Sequence, residues 1–176
     1  MINRWLTALL VVLSLALIGA VAVLVTRDDE VSVAAGEPQV VSPAQLSEFA
    51  EDAERPVYWL GERVGADYEL TETASGRVYV RYLEDGAEAG DSRSDFLTVG
   101  TYPSKNSVVA LHRAAGNRGG ATLGKTDDGV LLLIDPSSPE NVHLAYPDAD
   151  LQVEVFSPAP GQALRLASRG DVQPVD

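Results

Sequence analysis

The most constraining feature of the chain is an uncharged apolar run close to its start. Residues Trp5 to Thr26 read WLTALLVVLSLALIGAVAVLVT and contain no charged side chain. An α-helix rises about 1.5 Å per residue, so this run makes a helix roughly 33 Å long, enough to cross a bilayer core of about 30 Å. The pattern therefore predicts a transmembrane helix over residues 5–26.

Two other interpretations of this run fit less well. A cleavable signal peptide has an apolar core of about 7 to 15 residues, followed closely by a small-residue cleavage sequence. Here the core is longer, and the nearest such sequence, Val33-Ala34-Ala35, lies beyond the charged residues 27–30. A buried helix of a soluble domain would carry a polar stripe, whereas Thr7 and Ser14 stand a full heptad apart. We therefore expect an uncleaved signal anchor.

The charges that flank the run set the expected orientation. The N-terminal flank carries the amino group and Arg4, whereas the C-terminal flank begins with Arg27 and then turns acidic. Basic flanks of a first membrane helix tend to stay on the cytoplasmic side. We expect residues 1–4 in the cytoplasm and the rest of the chain outside the cell membrane, as a single-pass protein with an extracytoplasmic C-terminal domain.

Length and charge limit what lies beyond the anchor. Residues 27–42 are predicted to form a linker, and residues 43–176 are enough for one domain with a buried core. Without Arg4, 12 basic and 26 acidic side chains remain, a net charge of −14. Such acidity argues against a nucleic-acid partner, because phosphates require a basic surface. The chain has no cysteine, so disulfides are excluded.

Local patterns predict an α+β domain behind the linker. Ser42, Pro43 and Gln45 form a capping box at the start of a helix over residues 43–54. Further helices are predicted over residues 104–115 and 158–169. Short links between consecutive strands favour a mostly antiparallel sheet, with about three helices packed on it. The eight predicted strands cover residues 57–60, 68–73, 77–83, 95–101, 121–126, 129–135, 141–146 and 151–156.

The order of these elements also suggests an internal duplication. Each half of the domain gives four short strands followed by a helix with a proline near its start. Residues 95–116 and 150–170 align at an offset of 55, which matches Pro103 with Pro158. A pseudo-duplicated unit of four strands and one helix is therefore a hypothesis about the architecture.

No catalytic motif has the local context that its chemistry needs. Gly90-Asp91-Ser92 resembles the nucleophile block of GDSL-type esterases, but it lies in an acidic loop and the later Asp-x-x-His of that family is missing. Neither His112 nor His143 has a partner that the spacing identifies. We do not expect an enzyme, although a small envelope hydrolase stays open as a less favoured alternative.

No cofactor or metal site is expected from the sequence. Two separated histidines without cysteine do not supply a zinc site. The acidic turns Asp127-Asp128 and Asp148-Ala149-Asp150 offer oxygen ligands suited to calcium, but neither belongs to the twelve-residue calcium loop with its glycine and final glutamate. Turn formation and capping are the ordinary roles of such aspartates.

Two features suggest a surface for a partner. Residues 84–94 form an acidic, glycine-bearing loop, and the strand over residues 77–83 carries two tyrosines that must point to opposite faces. We expect an extracytoplasmic binding domain for an envelope protein or an extracellular ligand. A purely structural accessory subunit of an envelope complex is the alternative. The predicted partner-binding residues are Glu84, Asp85, Glu88, Asp91, Tyr79 and Tyr82.

The predicted orientation can be tested by proteolysis. Protease added outside intact cells, or outside spheroplasts if there is an outer membrane, should remove the domain and leave a small membrane-embedded stub. Immunoblotting against each end of the chain would detect the two products. Survival of the full-length chain until the cells are lysed would reverse the orientation.

Overall fold

The computed structural model describes residues 36–53, 55–84 and 86–176. The predicted anchor over residues 5–26 and most of the predicted linker lie outside this part of the chain. Within the described ranges, no helix is both long enough and apolar enough to cross a membrane.

Ten strands and three helices make up the described residues. The strands are β1 (Gln39–Val41), β2 (Tyr58–Trp59), β3 (Asp67–Glu72), β4 (Val78–Leu83), β5 (Thr98–Pro103), β6 (Thr122–Lys125), β7 (Leu131–Ile134), β8 (Asn141–Ala145), β9 (Leu151–Phe156) and β10 (Gln173–Pro174). The helices are α1 (Pro43–Asp52), α2 (Ser107–Asn117) and α3 (Gln162–Ser168).

Eight of these strands form one sheet in the order β1-β3-β4-β5-β9-β8-β7-β6. Every neighbouring pair in it is antiparallel, and β2 and β10 form a separate antiparallel pair. The prediction of an α+β domain with a mostly antiparallel sheet and three helices is confirmed.

The strand order is symmetric about the central β5–β9 pair. Strands β3, β4 and β5 follow one another on one side, and β7, β8 and β9 do so on the other. The helices do not follow this symmetry, because α2 packs on one face of the sheet and α3 on the opposite face. The internal duplication therefore stays a hypothesis.

Helix α1 begins where the sequence predicts, because its capping box is formed. The Ser42 hydroxyl accepts a hydrogen bond from the Gln45 backbone N–H at 3.3 Å, and Gln45 Oε1 accepts one from the Ser42 N–H at 2.9 Å. Pro43 occupies the first turn, where its missing N–H costs no hydrogen bond. Leu46, one turn on, is fully buried.

The other two helices begin three to four residues later than predicted. Pro103 ends β5 instead of opening α2, which starts after Asn106 in a left-handed conformation with φ of 55°. Pro158 lies outside α3, which starts after Gly161. Proline disfavours helical geometry in the residue before it, so Pro160 keeps the preceding turn out of the helix.

Two short strands lie where the sequence predicts none. Strand β1 falls within the predicted linker and pairs with β3, and β10 pairs with β2 near the end of the chain. Each has three residues or fewer, so alternation along the chain is too brief to reveal them.

One face of the large sheet, the core face, is almost wholly apolar. Val80, Val99 and Val155 lie side by side on it and have no exposed surface. The residues that cover this face from outside the sheet include Leu46 of α1, Val57 to Leu60 around β2, and Ala163, Leu166 and Ala167 of α3.

The opposite face, the second face, is covered differently at its two ends. Leu111 of α2 packs against Leu133 of β7 and Ala145 of β8 in a small separate core. Helix α2 therefore covers only the β6–β8 end of this face.

We expect Leu111→Ala to lower the free energy of unfolding by about 2 to 5 kcal/mol, because the truncation leaves a cavity in the small core. Leu111 is 1% exposed. Val109 lies on the same helix and is 54% exposed, so Val109→Ala is the matched control and should change stability by about 0.5 kcal/mol or less. Urea unfolding of the full-length chain measures both. Equal effects would show that α2 is not docked through Leu111.

Candidate functional site

Among the residues that the structure describes, none covers the middle of the second face. Helix α2 covers the β6–β8 end, and residues 86–95 fold over the β3–β4 end. Between them lies a cavity of about 310 Å³. Pockets that bind small ligands have volumes of about 300 to 1,000 Å³, so the volume of this cavity is at the lower end of that range. We call this surface the central trough. Its lining residues are Tyr79, Ser94, Thr98, Gly100, Tyr102, Asn141, Glu154 and Phe156.

Cross-strand pairing fixes where the trough residues lie. Tyr79, Gly100, Glu154 and His143 stand directly opposite one another in a row across β4, β5, β9 and β8. Directly opposed residues point to the same face of an antiparallel sheet. The next row toward the end of β9 contains Thr98, Phe156 and Asn141.

The floor of the trough depends on a glycine in the middle of the sheet. A Cβ atom at Gly100 would lie only 2.5 Å from the Tyr102 hydroxyl oxygen and 2.8 Å from its Cζ. The missing side chain thus lets the Tyr102 ring lie across the row. There it meets Tyr79 edge to face, with ring centroids 5.7 Å apart, and its hydroxyl donates to Glu154 Oε2 at 2.5 Å.

Tyr102 is a neutral hydrogen-bond donor to this carboxylate. Burial raises the pKa of the Tyr102 phenol, and the hydrogen bond to Glu154 raises it further. Glu154 itself forms no ion pair with any residue in the described ranges. A half-buried carboxylate that forms no ion pair can bind a cationic group of a ligand.

His143 lies beside this carboxylate as a neutral imidazole. Its Nδ1 is 3.2 Å from Nε2 of the Gln152 side-chain amide, within hydrogen-bond distance. Burial lowers the pKa of His143, the charge of Arg118 lowers it further, and the carboxylates of Glu154 and Asp135 oppose the shift.

A second, more polar cavity of about 590 Å³ adjoins the trough and shares Asn141 and Glu154 with it. In it, the Ser137 hydroxyl and backbone N–H both donate to Asp135 Oδ1, which lowers the pKa of that carboxyl. Its other lining residues are Arg118, Gly119, Ser138 and His143.

The acidic loop is held against the sheet by a buried ion pair. The Glu69 side chain is 1% exposed and forms an ion pair with Arg81, whose Nη1 lies 2.7 Å from Glu69 Oε1. Glu69 Oε2 also accepts a hydrogen bond from the Gly90 N–H at 2.6 Å. Arg81 Nη2 donates to the backbone oxygens of Asp91 and Arg93 at 3.0 and 2.9 Å. These bonds fix the loop in place as one wall of the trough.

The predicted acidic residues of this loop are therefore in different situations. Glu84 and Glu88 are exposed, while Asp85 lies outside the described residues. Asp91 is bound within the loop, since Arg93 donates to both of its carboxylate oxygens and lowers the pKa of Asp91. The loop thus offers less free negative charge than its sequence suggests.

The two predicted tyrosines lie on opposite faces, as alternation requires. Tyr79 is half-buried in the central trough. Tyr82 is 1% exposed in the core, where its hydroxyl accepts from the Leu60 N–H at 2.6 Å and donates to the Gly61 oxygen at 3.2 Å. Burial of Tyr82 therefore removes it from the predicted partner surface.

The motifs considered for catalysis or metal binding do not converge on the trough. Ser92 is exposed in the acidic loop, and His112 is exposed on α2, whereas His143 is in the adjoining cavity. Among residues 36–53, 55–84 and 86–176, no three His, Cys, Asp or Glu side chains are grouped to hold a metal ion.

Sequence reasoning missed Tyr102, Asn141 and Glu154 as site residues. A signal was present, because the β9 sequence LQVEVF places Gln152, Glu154 and Phe156 on one side of the strand. That alternation is typical of any half-exposed strand, so it cannot distinguish a trough from a plain solvated face.

Comparisons with protein-family models, with curated proteins and with solved structures find no match to this chain.

The depressed pKa of His143 predicts a loss of stability in acid. An unfolded histidine takes up its proton near pH 6.5, whereas the folded domain resists protonation at His143. Stability should therefore fall as the pH drops from about 6.5 to the pKa of the folded state. His143→Gln should remove this component, and His112→Gln on an exposed site is the control. Urea unfolding at pH 7.5 and pH 5 measures it. An unchanged pH dependence in His143→Gln would contradict the assignment.

Proposed function

We propose that this protein is a membrane-anchored extracytoplasmic binding domain and that the central trough holds its partner. One observation carries the proposal. Within the described part of the chain, nothing covers the centre of the second face, where aromatic rings surround a carboxylate that has no ion pair there. A folded domain gains nothing in stability from leaving such a surface uncovered, because apolar area is stabilising only when it is buried.

The trough is a better binding surface than the acidic loop alone. The side chains of the trough lie on sheet strands whose positions are fixed by hydrogen-bonded pairing, which favours a preorganised site. The loop contributes one wall through Ser94 and borders the site where a partner would approach. The exposed residues Glu84 and Glu88 then act at the edge of the surface, where charges mainly steer association.

Binding fits the side chains of the site better than hydrolysis does. A serine hydrolase needs a hydroxyl within hydrogen-bond reach of its histidine base. Here Nδ1 of His143 is engaged by Gln152, and the nearby Ser137 hydroxyl donates to Asp135 instead. A purely structural accessory subunit would need no open trough of this kind.

The membrane anchor supports the choice of an envelope partner. The anchor and its short linker would keep the domain close to one membrane. This confinement raises the effective concentration of partners in the same bilayer, so a modest intrinsic affinity is enough.

Site-specific photocrosslinking from the trough tests this function. With a photoreactive amino acid in place of Ser94, which is exposed and lines the trough, irradiation of intact membranes should give a defined adduct. The same substitution at Glu48, exposed on α1 and therefore on the core-face side, is the control and should give none. Mass spectrometry would identify the partner and the crosslinked residue. Adducts from Glu48 but not from Ser94 would place the partner elsewhere.

A further inference from the structure

We infer that the group held in the central trough is a basic side chain presented by a protein partner. This inference rests on the proposed binding function and adds the chemistry that the trough recognises.

The first argument is an uncompensated charge. The Glu154 carboxylate is half-buried on the floor, and its Oε2 is held by the neutral phenol of Tyr102 at 2.5 Å. None of the described arginines or lysines forms an ion pair with it, and the adjacent His143 is neutral at pH 7. A half-buried carboxylate interacts more strongly with a cation than an exposed one, because less water screens the pair.

The second argument is the apolar surface that leads to the carboxylate. Tyr79, Thr98 and Phe156 line the trough beside Glu154. The trough thus combines an apolar surface with a carboxylate. Lysine and arginine side chains match this combination, because their methylene stem packs on apolar surface and their charged end needs a polar partner. Aromatic rings also attract cations through their faces.

Guanidinium groups already pack on aromatic rings around the trough. Arg77 lies over the Tyr102 ring at 5.6 Å from its centroid. Arg81 and Arg93 both lie over Phe96, at 4.6 and 4.8 Å. Aromatic rings in and beside the trough thus already serve as packing surfaces for guanidinium groups of the chain itself.

The third argument concerns the source of the cation. The trough is open, so a small free amine would stay largely hydrated, whereas good small-molecule sites bury about 70 to 90% of the ligand surface. A side chain on an extended segment brings neighbouring backbone groups with it. The polar cavity that shares Asn141 and Glu154 gives that backbone hydrogen-bonding surface. The acidic chain, with a net charge of −14 beyond Arg4, would steer a basic segment toward it.

The test uses two short peptides that differ in one charge. Acetyl-Gly-Arg-Gly-amide should shift the NMR signals of Gly100 and Tyr102 in the full-length chain, and the citrulline peptide, a neutral isostere, should bind at least about tenfold more weakly. Glu154→Gln should abolish the preference for arginine. Glu48→Gln makes the same charge change on the core-face side of the domain and should keep the preference.

Two outcomes separate this inference from the binding function itself. Equal binding of the two peptides to the unmodified chain overturns the inference without relying on any variant. A second overturning result is a Ser94 photoadduct that still forms at full yield in Glu154→Gln and in the presence of the arginine peptide. That result leaves the binding function intact. Absence of any Ser94 adduct contradicts the binding function instead. Loss of the adduct in Glu154→Gln, but not in Glu48→Gln, supports the inference.

Discussion

The pairing of β5 with β9 is the contact on which the rest of the domain depends. It joins residues that are 48 to 58 positions apart in the chain and places Val99 opposite Val155 on the core face. The same register places Gly100 opposite Glu154 on the second face. Side chains alternate along a strand, so a slip of one residue would turn the valines outward and the glutamate into the core. Core and trough are thus set by one register, and neither can shift without the other.

Residues 36–53, 55–84 and 86–176 leave the centre of the second face uncovered, because the chemistry of this face changes along the sheet. At the β6–β8 end it carries leucines, which α2 buries through Leu111. At the β3–β4 end it carries Glu69 and Arg81, which form an ion pair with each other and hydrogen bonds with the loop backbone. A buried pair of this kind is tolerated only when its remaining hydrogen bonds are also made. Between the two ends, Glu154 has one neutral donor in Tyr102, and no part of the described chain lies over it as a counterion.

Local rules in the sequence were sufficient for most of the architecture. The capping box at Ser42 and the alternation of β4 and β9 act over a few residues, and the structure has each of them where expected. The predicted starts of α2 and α3 are three to four residues too early, because proline commonly opens a helix whereas Pro103 ends β5 and Pro158 precedes α3. The trough was not predictable, because it requires the cross-strand register that brings Gly100 of β5 beside Glu154 of β9. No local pattern in the sequence specifies which residues of β5 and β9 lie side by side.

The electrostatic state of the trough follows from the same geometry. Two other carboxylates on the sheet are matched by arginine, Glu72 by Arg55 and the fully buried Glu69 by Arg81. The residue opposite Glu154 is His143, and burial between β7 and β9 keeps its imidazole neutral near pH 7. His143 would therefore carry a positive charge only in acid. A cation bound at Glu154 would oppose the protonation of His143, and protonation of His143 would weaken the binding of that cation equally, because coupling between two binding events is reciprocal. The fold therefore leaves the negative charge of Glu154 available at neutral pH, beside an aromatic floor, for a group from another molecule.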